Sequence, residues 1–236
     1  MGKNLIQQAR GKGSPTYRAP SFRWKGKTSL IKDTKDTKGK IIDFIKCQGH
    51  SAPLASIQYD NGESILVQAP EGVRVGEEVE AGENSEIKRG NIISLKNIPE
   101  GTLVYNIEAQ PGDGGKFVRS SGTFAKLIAK SKNNVKILLP SKSTKEFNEN
   151  CRACIGTIAG SGRKDKPYLK AGIKRFAMRA KNKLWPKVGG TAQNSVDHPF
   201  GGKSTKSKGR PTQCGRTDSP GRKVGKIAPR RTGMKR

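Results

Sequence analysis

Hydrophobic and polar positions alternate in short runs through the middle of this chain. "IIDFIKC" (41–47), "LASIQY" (54–59) and "ESILVQA" (63–69) are β-branched runs bounded by turn formers, which is the pattern of half-buried strands. Between the second and third runs stands "DNG". Asn61-Gly62 supplies the positive φ angles of a tight turn, so a hairpin is predicted there. "APEGV" (69–73) and "IPEGT" (98–102) both put Pro second and Gly fourth, which predicts type I turns. "TLVYNIEA", "KFVRSS", "FAKLIAK", "NVKILLP", "KEF" and "IGTIA" follow as further strand candidates. "LIAKSKNNVKILL" predicts a second hairpin turning on Asn133-Asn134. Short strands at roughly ten-residue spacing, without a long helical period, indicate an all-β body built as small barrels or a sandwich. The polar, Gly-bearing stretch "VEAGENSEIKRGN" (79–91) divides that body into two modules.

Outside the body the pattern fades and charge takes over. The formal net charge is +28, from 47 Lys and Arg against 19 Asp and Glu. Residues 1–40 carry eleven Lys and Arg and two Asp; residues 41–160 carry fourteen of each sign. Residues 161–236 carry twenty-two Lys and Arg and three Asp. The whole excess therefore lies in two arms around a neutral centre. Such arms point to a polyanion as partner. Ordering the C-terminal arm costs on the order of 100 kcal/mol in backbone entropy, and it has few large apolar side chains to offset that cost. Alone it is expected to be mostly disordered, ordering as it lays its charges on phosphates. Only "KAGIKRFAMRAKNKLW" (170–185) has a helical flavour. No run of 18 apolar residues exists, which excludes a transmembrane helix, and the N-terminal residues hold no apolar signal core. Four cysteines in such a basic chain are expected as reduced thiols in a cytosol.

Three motifs invite catalytic or metal readings. Ser195, Asp197 and His198 are the residue types of a hydrolase triad, but adjacent Asp and His rarely reach triad geometry. The Gly-Gly-Lys-Ser run at 201–204 would need a glycine where Asp197 stands to be a phosphate loop. Cys47-x-x-His50 and Cys151-x-x-Cys154 have the chemistry of a tetrahedral zinc site. They lie about 100 residues apart, and Cys154 opens an apolar run where a buried thiol is common.

Aromatics among the cations are more informative. Tyr17, Phe22 and Trp24 interleave with Arg18, Arg23, Lys25 and Lys27. Phe176 and Trp185 sit among Lys174, Arg175 and Arg179. Aromatic and guanidinium planes stack on unpaired bases while charges follow the backbone. The competing reading is that these rings anchor an arm to the body, with Trp185 before Pro186 the clearest anchor.

At these residues the chain resembles the universal L-two family of large-subunit ribosomal proteins, in its archaeal form. The resemblance runs through "GKGSPTYRAPSFR", "IPEGTLVYNIEAQPGDGGKFVRSSGT" (98–123), "CRACIGTIAGSGR" (151–163), "VDHPFGG" (196–202) and "PGRKVGKIAPRRTG" (220–233). Two departures stand out. Cys154 replaces a usual Thr, and Gly189-Gly190 stands where the family more often has Arg-Gly, so that Arg's contacts are not available here. The resemblance implies an oligonucleotide-binding-type barrel (41–85) and an SH3-like barrel (86–160), with a basic N-terminal arm (1–40) and C-terminal arm (161–236). It implies a large-subunit ribosomal RNA binder of the cytoplasmic ribosome that neighbours other ribosomal proteins and supports subunit association, tRNA binding and the peptidyl-transferase region. No cofactor, metal, membrane or catalytic role is implied. The candidate RNA-binding residues are Arg10, Tyr17, Arg18, Arg23, Trp24, Lys25, Arg119, Arg163, Lys174, Arg175 and Arg179. Asp197, His198, Gly201, Gly202, Lys203, Arg210, Arg216, Arg222, Lys223, Arg230 and Arg231 complete the set. Two alternatives share part of this pattern. A chromatin-type or general DNA-binding protein would share the charge, and a hydrolase or RNA-modifying enzyme would use His198.

Overall fold

Strand segments dominate the computed structural model, which describes residues 2–32, 36–202 and 207–229. They fall into two units. One spans Ser21–Leu169, and the other joins the residues up to Pro20 with those from Lys170 onward.

In the first unit ten strands form one sheet. They are β1 (Thr37–Ile45), β2 (Leu54–Tyr59), β3 (Ser64–Gln68), β4 (Glu78–Ala81), β5 (Ile92–Ser94), β6 (Leu103–Tyr105), β7 (Ala125–Ser131), β8 (Asn134–Leu138), β9 (Thr144–Asn148) and β10 (Arg152–Ile155). Their order is β3-β2-β1-β4-β5-β10-β6-β7-β8-β9. The chain is therefore all-β. The strand pairings given by this order do not close either half on itself.

Two apolar cores are built on the sheet. One gathers Ile41, Ala55, Ile57, Val67 and Val79, the other Leu95, Val104, Leu127, Ile137 and Phe147. The central strands serve both. Ile92, Tyr105 and Cys154 enter the first core, and their neighbours Ile93, Val104, Ala153 and Ile155 enter the second. A strand covered on both faces needs apolar residues at consecutive positions rather than alternate ones. That is why Ala153, Cys154 and Ile155 of β10 are all buried.

The turns depart from expectation in instructive ways. Only Gly62 takes a positive φ (82°) in the first hairpin. Tyr59 N–H donates to Glu63 O (2.9 Å), leaving Asp60, Asn61 and Gly62 as a three-residue loop. Such loops end on a left-handed glycine. In "IPEGT" Thr102 N–H donates to Pro99 O, so Gly101 is third in its turn and adopts φ 86°. A type I turn has no use for that angle; a type II turn requires it. The second hairpin pairs Ser131 with Asn134, so it turns on Lys132-Asn133, one residue early.

Residues 28–31 are built into this unit although no pattern marks them. Thr28, Leu30 and Ile31 are buried. Ser29 N–H donates to Leu66 O (3.2 Å) and Leu30 N–H to Gly114 O (3.0 Å). Two arginines secure the segment. Arg152 Nη1 donates to Ile31 O (2.7 Å), and its other end pairs with Glu108 Oε1 (2.9 Å). Both charged side chains are almost fully buried. Arg119 Nη2 donates to Thr28 O (2.9 Å) and Nη1 to Gly115 O (3.0 Å).

The second unit is organised with very little apolar burial. Its helices are α1 (Ile6–Arg10) and α2 (Ala171–Arg179), and a two-residue parallel pairing joins β11 (Gln213–Cys214) to β12 (Lys226–Ile227). Its buried apolar cluster is Leu5, Phe200 and Val224. The expectation of an arm without its own structure gives way here. Turns and backbone hydrogen bonds stand in for burial, and both chain ends contribute to them.

Candidate nucleic-acid interface

The loop around His198 is held from several sides. Asp197 and His198 N–H groups both donate to Asn194 O (2.9 and 3.1 Å). Gly201 N–H donates to His198 O (2.9 Å) and Gly202 N–H to Gln193 O (3.2 Å). The two glycines are required by this closure. A Cβ on Gly201 would lie 2.2 Å from Gln193 O, and Gly202 has φ 81°. The imidazole leans on Phe200, with ring centroids 5.0 Å apart. A Cβ on Gly190 would stand 2.3 Å from its Cε1. Phe200 N–H donates to His198 Nδ1 (3.1 Å), which leaves Nε2 as the protonated nitrogen of the neutral ring. Desolvation lowers the His198 pKa below its ordinary value, favouring that neutral form. Asp197 pairs with Lys3 Nζ (2.6 Å) rather than with the ring. Its hydrogen bond and charge raise the Lys3 pKa. The geometry thus presents a neutral imidazole N–H, not a base oriented by a carboxylate.

The N-terminal residues join the same unit. Lys3 N–H donates to Val196 O (3.0 Å). Asn182 Nδ2 donates to the carbonyls of Thr16 (2.8 Å) and Arg18 (2.9 Å), and Arg10 Nη2 donates back to Asn182 O (2.8 Å). Arg10 also lies 5.6 Å from the Tyr17 ring centroid. The Arg18 side chain stays exposed. Lys174 lies 6.0 Å from the Trp185 ring, while Arg175 and Arg179 are exposed on α2. Arg210, Arg216 and Arg222 are exposed and Lys223 is half-buried. Lys203, Arg230 and Arg231 lie outside the described residues. Gly190 was noted only as part of the Gly189-Gly190 departure, not for its contact with His198. Lys3 and Asn182 were missed by sequence reasoning. Nothing in their local pattern marks them, since their roles depend on partners far along the chain.

In the sheet unit the candidates diverge. Trp24 meets His50 edge-on at 6.2 Å, and a Cβ on Gly49 would fall 2.2 Å from its ring, so Trp24 is an anchor. Phe22 is 81% exposed with the Arg23 guanidinium 5.3 Å from its centroid, and Lys25 is exposed. Arg163 is exposed, with Nε on Ser121 Oγ (2.7 Å). Arg119, a candidate RNA-binding residue, turns its guanidinium onto Thr28 and Gly115, and burial lowers its pKa. The cysteine pairs do not converge. Cys47 Sγ meets His50 Nδ1 (3.2 Å), but Cys151 and Cys154 enter different cores. Burial pushes their thiols up to about 11 and about 12.

The family model for the C-terminal domain of Ribosomal Proteins L2 matches residues 88–218. Over 241 residues the chain is 50% identical to the large ribosomal subunit protein uL2 of Methanothermobacter thermautotrophicus, covering 100% of both chains. The chain belongs to the ribosomal protein L2 family. The uL2 proteins of Archaeoglobus fulgidus (49% identical) and Methanococcus aeolicus (50%) also match over 100% of each chain. The L2 family match takes in both the second half of the sheet and the His198 loop. No helix among the described residues is long and apolar enough to cross a membrane.

Proposed function

We propose that this chain is a structural constituent of the large ribosomal subunit, acting in the cytoplasm by binding large-subunit ribosomal RNA and packing beside other ribosomal proteins. On this reading residues 41–85 and 86–160 are the two RNA-supporting β modules, and the segments 1–40 and 161–236 carry the phosphate contacts. The observation that carries it is the end-to-end match to uL2 proteins by a chain whose whole +28 net charge lies outside the neutral stretch 41–160. Cations placed on phosphates release condensed counterions, which supplies sequence-independent affinity. The candidate contacts are exposed cations on both units, Arg18, Arg23, Arg163, Arg175, Arg179, Arg210, Arg216 and Arg222 among them. The His198 loop is closed by backbone hydrogen bonds, presents one N–H donor, and serves positioning of RNA near tRNA and the subunit interface. No catalysis by the protein is part of this function.

The test is fractionation. The chain should remain with large subunits through a high-salt wash, and free chain should bind a ribosomal RNA fragment in preference to duplex DNA of equal length. Equal affinity for both would favour a general DNA binder. His198→Ala should leave the sheet folded yet impair subunit assembly or activity. Normal assembly and translation in that variant would remove the loop from the proposal.

A further inference from the structure

A cavity of about 360 Å³ opens beside the His198 loop, within the second unit. Pro199, Phe200, Pro211 and Val224 supply apolar lining, Arg210 and Arg222 supply positive charge, and Gln213 and Gly221 complete it. Its volume lies at the lower end of ligand sites, which run from about 300 to 1,000 Å³, so it suits one small ring system. The frame is fixed. Gln213 pairs with Lys226 and Cys214 with Ile227, tying the wall at 210–214 to the wall at 221–225. Gly225, at φ 80°, lets its backbone close on Thr212 O and the Phe200 ring. Lys208 Nζ lies 5.6 Å from the Phe200 centroid, adding a third cation at this edge. The neighbouring carboxylate is Asp218, which stands 3.9 Å from Arg222 Nε and accepts Gly215 N–H (2.8 Å).

We propose that this cavity holds one unpaired nucleotide of a bound RNA strand, its base against the proline and Phe200 lining and its phosphate between Arg210 and Arg222. This rests on the RNA-binding function proposed above and extends it from phosphate neutralisation to a site for a base. An apolar slot rimmed by cations matches both halves of a nucleotide. Extruded bases are read in pockets of this kind, stacked between apolar and aromatic side chains.

Gly221 makes the site testable. A Cβ added there meets nothing within 4 Å, and its φ lies outside the left-handed region, so Gly221→Leu fills space without straining the backbone or changing charge. The probes are two short RNA hairpins of equal charge, one with a single bulged adenosine and one with an abasic site at the bulge. The full chain should bind the first roughly tenfold more tightly, the scale of one stacked base. Gly221→Leu should abolish that preference while leaving abasic binding and its salt slope unchanged. Arg210→Gln should weaken the adenosine hairpin more than the abasic one. Equal binding of both hairpins by the unaltered chain, with steep salt dependence, would overturn the base site and leave the RNA-binding function standing. Binding of neither would overturn both. A Gly221→Leu variant that weakens both hairpins equally would reduce the cavity to an anion or structural feature. Displacement of the bulged hairpin by adenosine monophosphate at micromolar concentration would assign it to a free nucleotide instead.

Discussion

Gly189 and Gly190 are neighbours under opposite constraints. A Cβ on Gly189 meets nothing within 4 Å, and its backbone (φ −62°, ψ 144°) suits any residue. Gly190 lies against the His198 ring and has no such room. Gly189→Arg should therefore leave stability within about 0.5 kcal/mol, as surface changes do, and should strengthen RNA binding by adding a cation. Gly190→Ala should displace the imidazole, seen as a changed His198 chemical shift and weaker backbone protection across 193–202. Arg152 makes a second residue-scale case. Replacing it with Met strands Glu108, which is fully buried, and should cost about 3–5 kcal/mol in urea unfolding. Adding Glu108→Gln should recover much of that loss, because an amide left without a charged partner is less costly than a carboxylate. Failure of the second change to recover stability would show that Arg152 acts through Ile31 rather than through the ion pair.

At the scale of elements, the strands were the most legible part of the sequence. "LASIQY" and "ESILVQA" form β2 and β3 because alternation and β-branching act locally. Other features were hidden because their causes are distant. The predicted strand "TLVYNIEA" stops at Tyr105, since Asn106 takes φ 49° and turns the chain away. "KFVRSS" yields only a bridge from Phe117 to Ile107. Arg119 looks like any surface cation until Thr28, 91 residues away, is placed beside it. In the His198 loop the structure gives the residue types that drew notice in the sequence local structural roles. The glycines serve closure of the loop itself, and Asp197 serves Lys3. A pH dependence belongs to this element. The folded pKa of His198 is lowered, so the unfolded chain binds the proton more readily. The loop's stabilisation is then complete above the ordinary value of about 6.5 and is lost as pH falls through the lowered one. An NMR titration should place the His198 midpoint below that ordinary value. A midpoint at or above it would contradict the Phe200 N–H to Nδ1 hydrogen bond.

Across the whole molecule, charge and burial are separated. The sheet unit carries the two large cores, whereas the other unit buries Leu5, Phe200 and Val224 among a high density of cations. Affinity for single-stranded RNA should fall linearly in log–log form with salt, by roughly 0.7 per phosphate contacted. Filter binding across a salt series measures the slope, and a flat response would exclude phosphate neutralisation as the mechanism. The segment at 28–31 has one more consequence, in time rather than in space. Its carbonyl at Ile31 waits for Arg152, 121 residues later in the chain. On a translating ribosome these residues emerge early and gain their partners in turn, from Leu66 to Gly114 and then Arg152. The hydrogen bonding of the segment that follows Phe22 and Arg23 is therefore complete only in a chain synthesised past β10.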